Sequence, residues 1–207
     1  MTPWVVWVLT GLGLAAAVVR RRSVAAALVA AETLGAGAGA VSLAPGRSSE
    51  FAVAAAILCA KGLLVLPLLA VAVSRTREPR PVRDDAPPLL RLGATVALVL
   101  VVAGLLPEFG LETSAAGTGA AAMLAVGLAI IMVRRATIFQ VLALLVAENG
   151  IAVAAVSVTG GLPIVIELGV AFDVVLLVMV AVVFHQKIFS SFGTTDTLAL
   201  GELRDER

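Results

Sequence analysis

Residues 138–158 read Ile138-Phe-Gln140-Val-Leu-Ala-Leu-Leu-Val-Ala-Glu148-Asn149-Gly-Ile-Ala-Val-Ala-Ala-Val-Ser-Val158. A helix that spans a bilayer needs about 20 predominantly apolar residues, and this stretch supplies them. An acid and an amide lie near its middle. A charge at the bilayer centre costs roughly 2.5–3.5 kcal/mol even on the lenient insertion scale. The segment therefore reads as a membrane helix carrying a costly group.

Working outward, six further stretches have the same character. They are Thr2–Val19, Ser23–Leu43, Phe51–Ser74, Leu89–Leu106, Ser114–Val133 and Ile164–Phe184. The expected fold class is all-α, a polytopic membrane helix bundle of about seven transmembrane helices. Composition agrees: the chain is 60% hydrophobic with a mean hydropathy of +1.08. Soluble domains lie nearer about 45–50% apolar. The net charge of +1 gives no reason to expect nucleic acid as a partner.

Loop charges set the expected orientation, because cytoplasmic loops carry an excess of Lys and Arg. With the N-terminus outside, all Lys and Arg except Arg47 and Lys61 fall at the cytoplasmic ends or loops. The outer loop around Glu108 and Glu112 carries no base. A seven-span, N-out and C-in arrangement follows. The basic run Arg20–Arg22 comes after the first apolar stretch, the reverse of a secretory signal, so that stretch reads as a retained helix.

Two parts of the chain look alike. The first has Val18-Val-Arg-Arg-Arg-Ser23, then Glu32, then Ala40-Val-Ser-Leu43. The second has Met132-Val-Arg-Arg-Ala-Thr137, then Glu148, then Ala155-Val-Ser-Val158. The third helix of each part carries an ionisable residue, Lys61 or Asp173. Four helices separate the two starts, so a duplicated unit would be parallel, unlike the inverted repeats of many transporters. The expected organisation is a first three-helix unit (1–74), a cytoplasmic linker (75–88), a bridging helix with outer loop (89–113), a second three-helix unit (114–184) and a cytoplasmic tail (185–207).

Five ionisable residues lie inside expected spans: Glu32, Lys61, Glu148, Glu167 and Asp173. A buried carboxyl group exchanges protons as its surroundings change, which a proton or ion path requires. Lys61 is expected to pair with Glu32 of the neighbouring helix. Glu167 and Asp173 are six residues apart and do not share a helix face. The alternative role for these groups is interhelical hydrogen bonding without transport, and Gln140 and Asn149 read as polar glue of that kind. Gly35 and Gly39 form a Gly-x-x-x-Gly pair in the second helix, and Ala120 belongs to a small-residue run in the fifth. Both suit close helix contact. One cysteine, Cys59, and one histidine, His185, leave no set for a thiolate or multi-histidine metal centre. Gly11-Leu-Gly13 lacks the strand that a dinucleotide loop needs. No cofactor and no active site are expected on this chain.

Residues 120–207 resemble a known family. Val133-Arg-Arg-Ala-Thr-Ile-Phe139 followed by Glu148-Asn149 is similar to the K-type small membrane subunit of complex I, as is the end, Phe192-Gly-Thr-Thr-Asp196-Thr and Glu202-Leu-Arg204. The longer form, with Ala147-Glu-Asn-Gly150 and Ile166-Glu-Leu-Gly169, resembles hydrogenase-4 component E. Residues 1–110 fit more loosely, through the Glu32 helix and Cys59-Ala-Lys61. The resemblance implies a non-catalytic subunit of a complex I-related membrane-bound hydrogenase or formate hydrogenlyase-type assembly, in a bacterial or archaeal inner membrane. It implies antiporter-like and other membrane subunits as partners. It also implies that Glu148 and Asp173 stand for the acids of the second and third K-type helices. Glu148 falls about one helical turn late, Asp173 replaces a Glu, and Lys61 stands where an acid would be. A self-contained proton-coupled transporter and a purely structural scaffold are the competing readings.

Overall fold

The computed structural model describes residues 1–75, 87–105, 114–134, 136–157, 178–184 and 186–191. Six α-helices are placed: α1 Pro3–Val18, α2 Arg22–Leu43, α3 Ser49–Arg75, α4 Pro88–Leu105, α5 Ser114–Val133 and α6 Thr137–Val156. Residues 178–184 and 186–191 are also helical. Helices α2 to α6 are long and apolar enough to cross a membrane. At 16 residues, α1 is shorter. The chain is a polytopic membrane helix bundle. The seventh expected span, Ile164–Phe184, lies mostly outside the described residues, as do most of the linker and tail.

Local sequence explains the helix ends. Proline opens α1 and α4, where its missing N–H has no intrahelical partner to lose and its fixed φ suits the first turn. Gly46, at a φ of 83°, turns the chain between α2 and α3. Pro67 lies inside α3, yet the helix continues to Arg75. Spanning helices tolerate such a proline where neighbours re-satisfy the freed carbonyl.

Helices α1, α2, α6 and α5 form a ring in which each touches the next, and α5 returns to α1. Outside the ring, α3 packs on α2 and reaches α6, while α4 packs on α5 and α1. The main core joins Ala16, Val29, Val65, Ile130, Leu142 and Val146 across five helices. The α5–α6 pair is drawn together by glycines. A Cβ on Gly127 would lie 2.6 Å from the Ala143 carbonyl oxygen, and one on Gly150 would lie 2.8 Å from that of Ala120. Only a missing side chain permits backbones so close.

The outer helices bury one stripe each. On α3 the stripe runs Phe51, Ala54, Ala55, Lys61, Gly62, Val65, Leu69 and Ala72, with the spacing of one helical face. Its other faces expose Val53, Leu63, Leu64, Leu66 and Val71. On α4 only Arg91 and Thr95 are buried, and Leu89, Leu100, Val101 and Leu105 face outward. In water such surfaces would drive aggregation; in lipid they are ordinary.

Helix direction follows from cross-contacts. Gly119 near the start of α5 lies against Val6 and Thr10 of α1. Arg134, just past the end of α5, reaches Val19, just past the end of α1. Thus α1 and α5 run parallel. Thr33 of α2 meets Asn149 of α6, and Ala40 meets Val156 in one cluster. So α2 and α6 run parallel as well.

Candidate functional site

Three charged side chains come together midway along the bundle. Lys61 of α3 donates to Glu148 of α6, and both are nearly inaccessible to solvent. Glu32 of α2 lies close enough to both to act on them electrostatically. Its exposure is 0%.

The partner of Lys61 corrects the sequence expectation, which gave it to Glu32. The reason is helical geometry. Leu34 and Gly37, three residues apart, form the face of α2 that meets α3: Leu34 touches Gly62, and Gly37 lies against the backbone at Cys59. Glu32, Gly35 and Gly39 form another face, packed on Gly13 and Leu9 of α1 and on Met1 just before it. Glu32 therefore turns away from the helix that follows it in sequence. Glu148 enters from α6 at the edge of α3 and takes the lysine.

Glu32 ends in a different setting. A Cβ on Gly13 would lie 3.3 and 3.4 Å from its two carboxyl oxygens and 3.1 Å from Val146 Cγ1. Asn149 lies beside the carboxyl group. No donor among the described residues is in hydrogen-bonding geometry with Oε1 or Oε2 of Glu32.

Asn149 and Thr33 complete the cluster. Thr33 Oγ1 donates to the Val29 carbonyl at 3.0 Å. Asn149 Nδ2 donates to Thr33 Oγ1 at 3.0 Å, and the two residues are 116 apart. The same interval separates Glu32 from Glu148. The two acids of the look-alike segments thus stand next to this contact on α2 and α6. Asn149 is 0% exposed, and its Oδ1 accepts no hydrogen bond among the described residues. Its expected role as interhelical glue is what the Thr33 bond shows. Gln140, placed in the same class from sequence, is exposed.

A fourth polar contact lies away from this level. Arg134 is 2% exposed. Its Nη2 donates to the Val19 carbonyl, and its guanidinium stacks 4.0 Å from the centre of the Phe139 ring. A helix end leaves carbonyls without intrahelical donors, and this arginine satisfies one at the end of α1. From sequence, Arg134 was only a marker of orientation. Arg91 is also buried, at the start of α4. The signal for Arg134 was Phe139, five residues on. Arg91 had no comparable signal.

Glu167 and Asp173 lie outside the described residues, as does His185. Three of the five expected path residues, Glu32, Lys61 and Glu148, are brought together. No group of three or more His, Cys, Asp or Glu side chains suited to a metal ion occurs among the described residues.

Fold and site define a class: a polytopic membrane bundle with buried, clustered charges. No family model matches the chain, and no solved structure matches it. Over 162 residues it is 33% identical to the uncharacterized protein Rv0085 of Mycobacterium tuberculosis, a match covering 74% of this chain and 72% of that protein. The chain belongs to the same family as Rv0085.

Proposed function

We propose that this chain is a non-catalytic membrane subunit of a complex I-related membrane-bound hydrogenase or formate hydrogenlyase-type assembly. In this reading it contributes buried charges to proton or cation translocation. The observation that carries the reading is the buried Lys61–Glu148 pair with Glu32 beside it. Each buried charge is costly in a bilayer. An ion pair and a third acid without a partner among the described residues form a system whose charge state changes when a cation arrives or leaves. The resemblance to hydrogenase-4 component E and to the K-type subunit supports the choice of assembly.

The bundle would cross a bacterial or archaeal inner membrane seven times, N-out and C-in. The parallel pairs α1/α5 and α2/α6 support a duplicated three-helix unit. The outward apolar faces of α3 and α4 offer surface for antiporter-like and other membrane subunits. Glu167 and Asp173 would extend the path along the seventh helix.

A scaffold reading has one observation in its favour: the Lys61–Glu148 bond is closed, as a structural tie would be. Purification of the tagged chain from its native membrane in mild detergent tests assembly. Antiporter-like and hydrogenase-like chains are expected to come with it. A chain that purifies alone and drives proton flux in liposomes by itself would instead be a self-contained transporter.

A further inference from the structure

Glu32 and Asn149 hold three oxygens, all in fully buried side chains, that receive no hydrogen bond among the described residues. Leaving such groups unmade in a low-dielectric interior is costly. The orientation of Asn149 is dictated by its neighbour. The single hydroxyl proton of Thr33 goes to the Val29 carbonyl, so Oγ1 can only accept from Asn149. The amide must present Nδ2 to Thr33, which leaves Oδ1 as the free atom. Oδ1 of Asn149 and both carboxyl oxygens of Glu32 are thus acceptors without a hydrogen-bond donor among the described residues, on side chains that lie beside each other.

We propose that Glu32 and Asn149 form a binding site for one monovalent cation, carried as a proton or as Na⁺, enclosed by α1, α2 and α6. This deepens the translocation reading and rests on it only for the claim that the ion moves. Charge sets the valence. The groups acting on Glu32 are Glu148 from α6 and Lys61 from α3; α1 carries no ionisable side chain. Among the described residues, Lys61 and Glu148 offset each other, so an ionised Glu32 leaves one negative charge. A monovalent ion neutralises it, whereas a divalent ion would leave a positive excess in a buried site. Gly13 presents bare backbone to both carboxyl oxygens, so no side chain of α1 covers them there. Val146 forms an apolar wall on the same side.

Infrared difference spectroscopy on the full chain in lipid nanodiscs tests the site, with NaCl exchanged for choline chloride at fixed pH. If the cation is a proton, a carboxylic-acid band appears with and without Na⁺ and disappears in Glu32→Gln. If it is Na⁺, adding the salt converts that band to carboxylate saturably, and Asn149→Leu weakens the response about tenfold, the loss of one good ligand. In either case Asn149→Leu shifts the Glu32 band, Thr33→Val shifts it in the same way, and Thr33→Ser restores it. Glu32→Asp, which keeps the acid, moves the band without removing it, should Glu32→Gln fail to fold. A protonated-carboxyl spectrum that is unchanged in both Glu32 variants and insensitive to Na⁺ overturns the proposal. The two readings fail separately. A cation at Glu32 in a chain that purifies alone keeps the site and removes the assembly, and an ionised, Na⁺-insensitive Glu32 in a pumping complex does the reverse.

Discussion

Lys61 is bonded to Glu148, 87 residues away, and not to Glu32 of the helix that precedes it. Breaking a buried pair by removing one partner leaves the other charge uncompensated, at a cost of roughly 3–5 kcal/mol. Lys61→Met and Glu148→Leu are each expected to lower the unfolding midpoint of the purified chain. The double variant Lys61→Met/Glu148→Leu is expected to be more stable than either single one, because no lone charge remains. Thermal unfolding in detergent reads the cycle. Additive losses would show that the two side chains do not interact.

The α5–α6 contact rests on Gly127 and Gly150. Alanine at either site puts a Cβ within van der Waals overlap of backbone oxygen on the facing helix. Gly127→Ala and Gly150→Ala are expected to cost about 1–3 kcal/mol each, the usual range for overpacking. Gly11→Ala and Gly93→Ala meet open space and are expected to be neutral or to stabilise by up to about 1 kcal/mol, since alanine is the better helix former. The same melting experiment separates the two pairs.

Arg134 ties the end of α1 to the α5–α6 turn. Arg134→Ala removes a charge-assisted bond to the Val19 carbonyl and the stack on Phe139, with an expected loss of about 1.5–3 kcal/mol. Arg134→Lys keeps the charge but not the planar stack, and is expected to recover only part of it. Hydrogen exchange at the last turn of α1 is the sharper readout. It should accelerate in both variants and most in Arg134→Ala.

Orientation is open to cysteine labelling once Cys59 is replaced by Ala. Ser48 and Arg21 are both exposed, at opposite ends of α2. In intact cells, Ser48→Cys is expected to react with a membrane-impermeant maleimide. Arg21→Cys is expected to react only after permeabilisation. The opposite pattern would reverse the N-out orientation.

Much of the bundle was legible in the amino-acid order, because length and apolarity alone mark a membrane helix. The ends of α1 to α6 fall within about two residues of the apolar stretches read from sequence. Glu32, Lys61 and Glu148 stood out because a charge in an apolar run is expensive wherever it sits. Who pairs with whom was harder to read. Neighbours in sequence suggested Glu32 for Lys61, but the face on which Gly35 and Gly39 lie carries Glu32 toward α1. The glycine pair was read as a close-packing surface without saying for which helix, and that choice decided the pairing. Thr33 was missed altogether, since a hydroxyl in an apolar helix costs little and gives no signal. Its part depends on Asn149, which only the parallel packing of α2 and α6 brings near.

Translocation through this chain is tested most directly by Glu148→Gln in the native membrane. Glutamine keeps the size and the hydrogen-bonding capacity of the side chain but cannot carry the charge. The assembled complex is first quantified by co-purification, and cation uptake by inverted vesicles is then measured per complex. The expected result is normal assembly with uptake reduced about tenfold or more. Full assembly with wild-type uptake would contradict the central claim and leave Lys61 and Glu148 as a structural tie.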